Sequence, residues 1–183
     1  MAKPVVCHFQ RPLCRSWQKN GWNRFKVIID EFKKDRLRRD PLNNVGAPWK
    51  WGIIGEFPES GLVPAVFVYG FMGIDAADDS LVVAPKLPKE MDWAEVSSVI
   101  YRQQCYTIRA DRNSNGSLSK IKIAAGKFSG NHNITVAGLS PNTEYVLCID
   151  KNRTKIRSDS VGIVRLRGIS AENIALEQMP IHL

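Results

Sequence analysis

The chain has 183 residues, of which 44% are hydrophobic and 24% are charged. This balance is typical of a globular protein and excludes a disordered or fibrous chain. The net charge of +8 arises at the N-terminus, where residues 1–50 carry 12 Lys and Arg against 4 Asp and Glu, whereas residues 51–183 carry 14 of each. A basic helix end accounts for this cluster, and no nucleic-acid recognition motif accompanies it. Nucleic acid is therefore not an expected partner.

The first regular pattern is an apolar repeat at helical spacing, which predicts a helix. Its members are Trp22, Phe25, Ile28, Ile29 and Phe32. Residues 40–64 follow as a long connection rich in Pro, Gly, Asn and Trp, and connections of this length are often binding loops. The apolar run at residues 65–74 also allows a buried strand, since periodicity alone does not separate the two. We expect a helix that begins after Pro64 and ends at Gly73, because proline suits a first helical turn and glycine a helix end.

From Leu81 onward, short apolar runs alternate with turn residues, which is typical of an antiparallel β-sandwich of five to seven strands. Asn115-Gly116 is a hairpin signal, and Ser140-Pro141-Asn142 predicts a further turn. Residues 169–179 are expected to add a short closing helix. The predicted fold class is therefore α+β, with a partial helical region at residues 1–80 and a β-sandwich domain at residues 81–183.

Neither a membrane address nor a cofactor motif is found in the chain. The longest apolar run, residues 62–74, is too short to span a bilayer, and no signal segment opens the chain. We therefore expect no membrane partner. The sequence does not identify the cellular compartment, and it is compatible with a parent protein that is secreted or periplasmic. There is no Gly-rich phosphate loop and no HExxH motif, so no cofactor is expected.

Cysteine and acidic residues give no metal site. Cys105 and Cys148 lie in strand-like runs and are predicted to be small buried residues, with a disulfide between them left open. The acidic cluster is expected to be exposed turn residues rather than a calcium site. Its members are Asp75, Asp78 and Asp79. Three possible metal ligands precede the first helix, but the fourth ligand of a zinc-type site is missing. The three are Cys7, His8 and Cys14.

The stretch GEFPESGLVPAVFVYGFMGIDAADDSLVVAPKLP resembles the end of the catalytic barrel in glycoside hydrolases of the six-hairpin, (α/α)6-barrel superfamily, such as glucoamylases, trehalases, debranching-type glucosidases and α-L-rhamnosidases. The matching positions are Glu56, Gly61, Phe67, Tyr69, Gly73, Ile74, Asp79 to Leu81, Pro85, Leu87 and Pro88. One departure is Asp79-Ser80-Leu81, where these enzymes usually have Asp-Gly-Leu. The resemblance implies an incomplete α/α barrel followed by a C-terminal β domain.

The same resemblance implies a hydrolase site in the loop at residues 40–64. Glu56 would be the general base of an inverting glycosidase, and Trp49 and Trp51 would bind the carbohydrate substrate together with Glu59. Inverting hydrolysis needs a second carboxylic acid on the opposite face of the sugar. Three residues from Glu56, Glu59 is too close for that role and also suits a helix start.

The implied enzyme is incomplete, because the proton donor and most of the barrel helices are missing from the chain. We therefore expect a C-terminal fragment of a glycoside hydrolase that is inactive alone. Such a fragment would expose apolar surface where its neighbouring helices are missing, which favours self-association.

A different function is indicated by NITVAGLSPNTEYVLCI, which resembles a passage of fibronectin type III modules through Leu139, Pro141, Thr143 and Tyr145. In such sandwiches the tyrosine hydroxyl bonds to upstream backbone. This resemblance implies a non-catalytic β-sandwich module that binds carbohydrate or protein. A sugar platform could then be formed by aromatic residues of the sheet, although their alternation with polar residues favours core positions. They are Trp93, Tyr101 and Tyr106.

Overall fold

The computed structural model describes residues 21–30, 62–77, 79–126 and 130–179. The chain divides into two compact units, Met1–Val63 and Pro64–Leu183. In the first unit, residues 21–30 form helix α1, which confirms the helix expected from the apolar repeat. The rings of Trp22 and Phe25 stack at 5.8 Å, and Lys26 Nζ lies 5.7 Å from the Trp22 ring.

The second predicted helix is also found, in two parts. Helix α2 (Leu62–Ala65) continues as a π-helical segment, Val66–Phe71. Gly73 ends it with φ +58°, and a Cβ at this position would lie 2.1 Å from the carbonyl oxygen of Ala84. Glycine is therefore required here by both backbone angle and space. No helix in the described part of the chain is long and apolar enough to cross a membrane.

The described residues of the second unit form ten strands. They are β1 (Ile74–Ala77), β2 (Ser80–Val83), β3 (Trp93–Tyr101), β4 (Gln104–Arg112), β5 (Leu118–Ala125), β6 (His132–Val136), β7 (Glu144–Ile149), β8 (Asn152–Arg157), β9 (Val164–Ile169) and β10 (Asn173–Gln178). One sheet has four strands in the order β1-β2-β6-β9, and the other has six in the order β3-β4-β5-β10-β7-β8. All neighbouring strands are antiparallel except β2 and β6, which are parallel.

The hydrophobic core contains the inward-facing side chains of both sheets. Along β4, Tyr106, Ile108 and Ala110 are buried, whereas the residues between them are more exposed. The same alternation places Ile134 and Val136 of β6 in the core, with at most 1% of their surface exposed. Each large aliphatic side chain buried in this way contributes about 1.5–3 kcal/mol. The two sheets thus form a β-sandwich-like structure, as predicted for the region after Leu81, but with ten described strands instead of the expected five to seven and with one parallel pair.

The predicted partial (α/α)6 barrel is wrong. Within the described ranges, helical structure is confined to residues 21–30 and Leu62–Phe71, and the remainder is dominated by the two sheets. Short sequence patterns such as Gly-Ile and Leu-Pro also occur where a helix is followed by a pair of strands, as at Gly73 and β1. The division into residues 1–80 and 81–183 stays a prediction.

The predicted closing helix at residues 169–179 is also wrong, because residues 173–178 form strand β10. Ala175, Leu176 and Glu177 favour helix by intrinsic propensity. In the fold, however, β10 lies between β5 and β7 and pairs with both. Ile174 and Leu176 are buried in the core. Two ladders of backbone hydrogen bonds and this burial outweigh a propensity difference of less than about 1 kcal/mol per residue.

The predicted turns are confirmed, and so is the tyrosine contact. Asn115-Gly116 lies in the β4–β5 hairpin, where Gly116 has φ +82°. The backbone N–H of Ser140 donates to the hydroxyl oxygen of Tyr145 at 3.0 Å. The Tyr145 ring is 1% exposed. The residue therefore connects the turn before β7 to the core.

Replacing Tyr145 by Phe should lower the free energy of unfolding by about 1 kcal/mol, because the Ser140 N–H loses its partner in a half-buried position. Urea denaturation of the purified protein measures this loss. Tyr69→Phe is the matched control, since Tyr69 is 66% exposed. Equal stabilities for the two variants would contradict the structural role of the hydroxyl.

The β3–β4 turn carries stored strain. Its two central residues, Arg102 and Gln103, have φ +46° and +65° although neither is glycine. A left-handed conformation costs an ordinary residue about 1–2 kcal/mol. This turn geometry is best served by Asn-Gly.

The double replacement Arg102→Asn and Gln103→Gly should therefore raise the free energy of unfolding by about 1 kcal/mol. Thermal melting would detect the rise. As a control, the same dipeptide placed at Lys89-Glu90, a turn without positive φ, should not stabilise the protein. A gain at both turns would mean that the cause is not backbone strain.

Candidate ligand-binding face

The candidate site is the outer face of the six-stranded sheet, which is the face turned away from the core. Because side chains alternate along strands, the register of the ladders sets which ones share this face. Two adjacent rows cross all six strands. The first row is Trp93, Asp111, Lys120, Glu177, Val146 and Lys155. The second row is Glu95, Arg109, Lys122, Ala175, Cys148 and Arg153.

At the β3 edge, an exposed tryptophan is held by an arginine. Trp93 is 53% exposed, and the guanidinium carbon of Arg109 lies 4.2 Å from its ring centroid. Asp111 accepts two hydrogen bonds from Arg109, at 3.0 Å from Nε and 2.8 Å from Nη2. These bonds raise the pKa of Arg109, which therefore stays charged. Since the guanidinium covers one face of the indole, the exposed area lies on the other face and the ring edges.

Between β5 and β7 the same face forms a shallow, open trough of about 290 Å³. Small side chains form its floor, namely Ala124, Cys148 and Ala175. Lys122, Asp150 and Asn173 border it. Oδ1 of Asp150 accepts a hydrogen bond from the Asn173 backbone N–H at 2.9 Å, which fixes this rim. The volume of the trough is close to the lower end of the range for ligand pockets, about 300 Å³.

A charged pair lies between the tryptophan and the β8 edge. Lys120 forms an ion pair with Glu177, and Arg153 Nη2 lies 3.4 Å from the second oxygen of Glu177. The hydrogen bond from Lys120 is the main cause that lowers the pKa of Glu177. Glu177 thus connects β10 to β5 within the first row through Lys120, and to β8 in the second row through Arg153.

The predicted catalytic and substrate-binding residues lie outside the described part of the chain. These residues are Glu56, Trp49, Trp51 and Glu59. Their assigned roles stay predictions. The possible metal ligands Cys7, His8 and Cys14 also lie outside it.

The predicted aromatic platform is divided between core and surface. Tyr101 and Tyr106 are core residues, at 8% and 1% exposure, and burial raises the pKa of Tyr106 to about 12. Trp93 alone of the three is on the outer face. Because β3 contains a bulge between Val96 and Val99, Trp93 and Tyr101 point to opposite sides of the sheet despite their even spacing. A single alternation pattern could not have revealed this split.

The prediction that Cys105 and Cys148 are buried is wrong. Cys105 is exposed and Cys148 is partly exposed, and both are free thiols on the outer face. Strands β4 and β7 are separated by β5 and β10, so their backbones are about 14 Å apart at about 4.8 Å per strand. A disulfide requires Cα atoms within about 7 Å. The intramolecular disulfide left open by the sequence is therefore excluded.

Sequence reasoning missed the trough and its cationic border. Lys122, Ala175 and Arg153 are far apart in the chain and become neighbours only through the strand order. Strand β8 was not predicted because five of its six residues are polar, with Ile156 as its single apolar residue against the core. An alternation of Arg153, Lys155 and Arg157 with smaller residues was the available signal.

No model of a known protein family matches the chain, and neither a curated protein nor a solved structure matches it.

Glu177→Gln should destabilise the protein at neutral pH by up to about 1 kcal/mol. The pKa of Glu177 is lower in the folded state than in the unfolded state, so its contribution is present above the unfolded value of about 4.3 and is lost as the pH falls through the folded value. Urea denaturation at pH 7, 5 and 3 should show the difference from wild type shrinking in acid. A difference that is constant with pH would contradict this ion-pair role.

The control for this series is Glu144→Gln, which alters an exposed carboxylate on neighbouring strand β7 with no ion pair among the described residues. Its effect on stability should be smaller than that of Glu177→Gln at pH 7.

Proposed function

We propose that the second unit is a non-catalytic β-sandwich module that binds a carbohydrate on the outer face of its six-stranded sheet. The observation that carries the proposal is Trp93. It is a large aromatic side chain, half exposed on the same sheet face as a trough floored by small residues.

An exposed indole suits a sugar because its flat apolar face matches the C–H side of a pyranose ring. Arg109 and Asp111 hold the ring in position, which reduces the rotamer entropy lost when a ligand binds. They also leave charged groups beside the ring, where ligand hydroxyls can form hydrogen bonds. A rigid aromatic face next to fixed polar groups is the usual composition of a small-ligand site.

The trough adds a second contact region on this face. Ala124, Cys148 and Ala175 keep the sheet surface low, so that a ligand can lie against the backbone between taller neighbours. Asn173 and Asp150 offer polar atoms at its rim. Trp93 and the trough are separated by the width of strands β4 and β5, so one extended ligand can contact both.

A glycan array probed with the full-length protein tests the proposal. Wild type should bind at least one glycan class, and Trp93→Ala should weaken that binding about ten-fold, since about 60 Å² of lost apolar contact costs about 1.5 kcal/mol. Ile100→Ala is the matched control, because Ile100 is 77% exposed on the same edge strand but has no aromatic ring. Calorimetry of the selected glycan gives the dissociation constants.

Alkylation of Cys148 tests whether the glycan occupies the trough. It is measured in a variant in which Cys7, Cys14 and Cys105 are changed to Ser, so that Cys148 is the remaining thiol. Bound glycan should slow the reaction of Cys148. An array without any bound glycan, or binding that Trp93→Ala leaves unchanged, would overturn the proposal; capture of a peptide ligand instead would identify a protein-binding module.

A further inference from the structure

We propose that the carbohydrate bound on this face is a polyuronate, a sugar chain that carries a carboxylate on its repeating units. This inference rests on the proposed function and specifies its ligand. It depends on the charge of the half of the face that contains the trough.

The half formed by β5, β10, β7 and β8 has an excess of positive charge. Every charged residue of these strands lies on the outer face by the register of the ladders. Together with the β7–β8 turn, they comprise six cations and three carboxylates, an excess of three positive charges. The cations are Lys120, Lys122, Lys151, Arg153, Lys155 and Arg157, and the carboxylates are Glu144, Asp150 and Glu177.

Several of these cations are available to a ligand. Lys122 borders the trough, and neither Lys122 nor Lys155 has an ion-pair partner among the described residues. Arg153 is 65% exposed and contacts Glu177 only at 3.4 Å. By contrast, Arg165 on the other sheet already pairs with Asp159, whose pKa is lowered by backbone hydrogen bonds. At the trough itself Lys122 is balanced by Asp150, and the excess of positive charge lies on the neighbouring β8 edge, beginning with Arg153 beside Cys148.

The spacing of the cations favours a chain over a small anion. Alternate residues of β8 are about 6.6 Å apart, so Arg153, Lys155 and Arg157 extend over about 13 Å of the edge. Arg153 is one strand away from Cys148 in the trough floor. A polymer lying in the trough and along β8 could contact Arg153 and then Lys155, with a carboxylate on the bidentate guanidinium of Arg153. Arg157 already donates a hydrogen bond from Nε to the backbone oxygen of Asn142 at 2.9 Å, so it would contribute mainly its charge.

The neighbouring side chains favour a sugar over a nucleic acid. Single-stranded nucleic acids bind where aromatic rings stack on their bases. Among the described residues of this face Trp93 is the one exposed ring, and the residues between the cations, Ala124, Ala175, Cys148 and Val146, are not aromatic, so successive bases would have no rings to stack on. A uronate chain needs only hydrogen bonds and charge contacts there.

Titration of the full-length protein with polygalacturonate oligomers, against neutral galactan oligomers of equal length, tests the inference. The uronate should bind more tightly, and raising sodium chloride from 50 to 500 mM should weaken it about ten-fold or more. Lys122→Ala and Lys155→Ala should each weaken it about two- to five-fold. Lys122→Arg, which keeps the positive charge, should bind the uronate more tightly than Lys122→Ala and close to wild type.

Arg167→Ala is the charge-matched control, since this exposed cation lies on the outer face of the other sheet. Equal affinity for the neutral oligomer, or insensitivity to Lys122→Ala, would overturn the polyuronate while leaving a carbohydrate module in place. Single-stranded DNA bound as tightly as polygalacturonate would overturn it as well. Failure of the wild type to bind any glycan on the array would overturn the proposed function itself.

Discussion

The six-stranded sheet depends on one central strand. Strand β10 is the last strand of the described chain, yet it pairs with β5 on one side and with β7 on the other. Without it, the hairpins β3-β4-β5 and β7-β8 would have no common ladder. Its inward residues Ile174 and Leu176 are buried in the core, and its outward residues Ala175 and Glu177 form part of the candidate site. Strand β10 therefore contributes side chains both to the core and to the candidate face.

This arrangement explains why the outer face has two chemically different halves. Strands β3 and β4 contribute Trp93, Glu95, Arg109 and Asp111, which form a rigid aromatic and charged edge. Strands β5, β10, β7 and β8 contribute the small residues of the trough and most of the cations. Because both halves are rows of one continuous ladder, a ligand bound across them would meet groups whose spacing is set by backbone hydrogen bonds. Such preorganisation lowers the entropy lost on binding.

The success of prediction from the sequence differs between elements of the fold. Alternation identified most strands correctly, since Tyr106, Ile108 and Ala110 form a clear period of two. It failed at β10, where helix-favouring residues are held in a strand by two neighbours. The likeness to an (α/α)6 barrel misled because it rested on local steps around Gly73, and local steps do not encode the number of helices around them. The hydroxyl bond of Tyr145, in contrast, was implied by the resemblance of residues 133–149 to a passage of fibronectin type III modules, and the structure contains it.

The sequence by itself determined the sheet-rich character of the second unit, its hairpin turns and the helix end at Gly73, because these depend on short-range periodicity and on backbone angles that few residues tolerate. Only the tertiary structure decided the strand order, the exposed position of Trp93 and the trough beside Lys122. Those features depend on which distant strands pair, and pairing is settled by the summed burial of the whole core rather than by any local pattern.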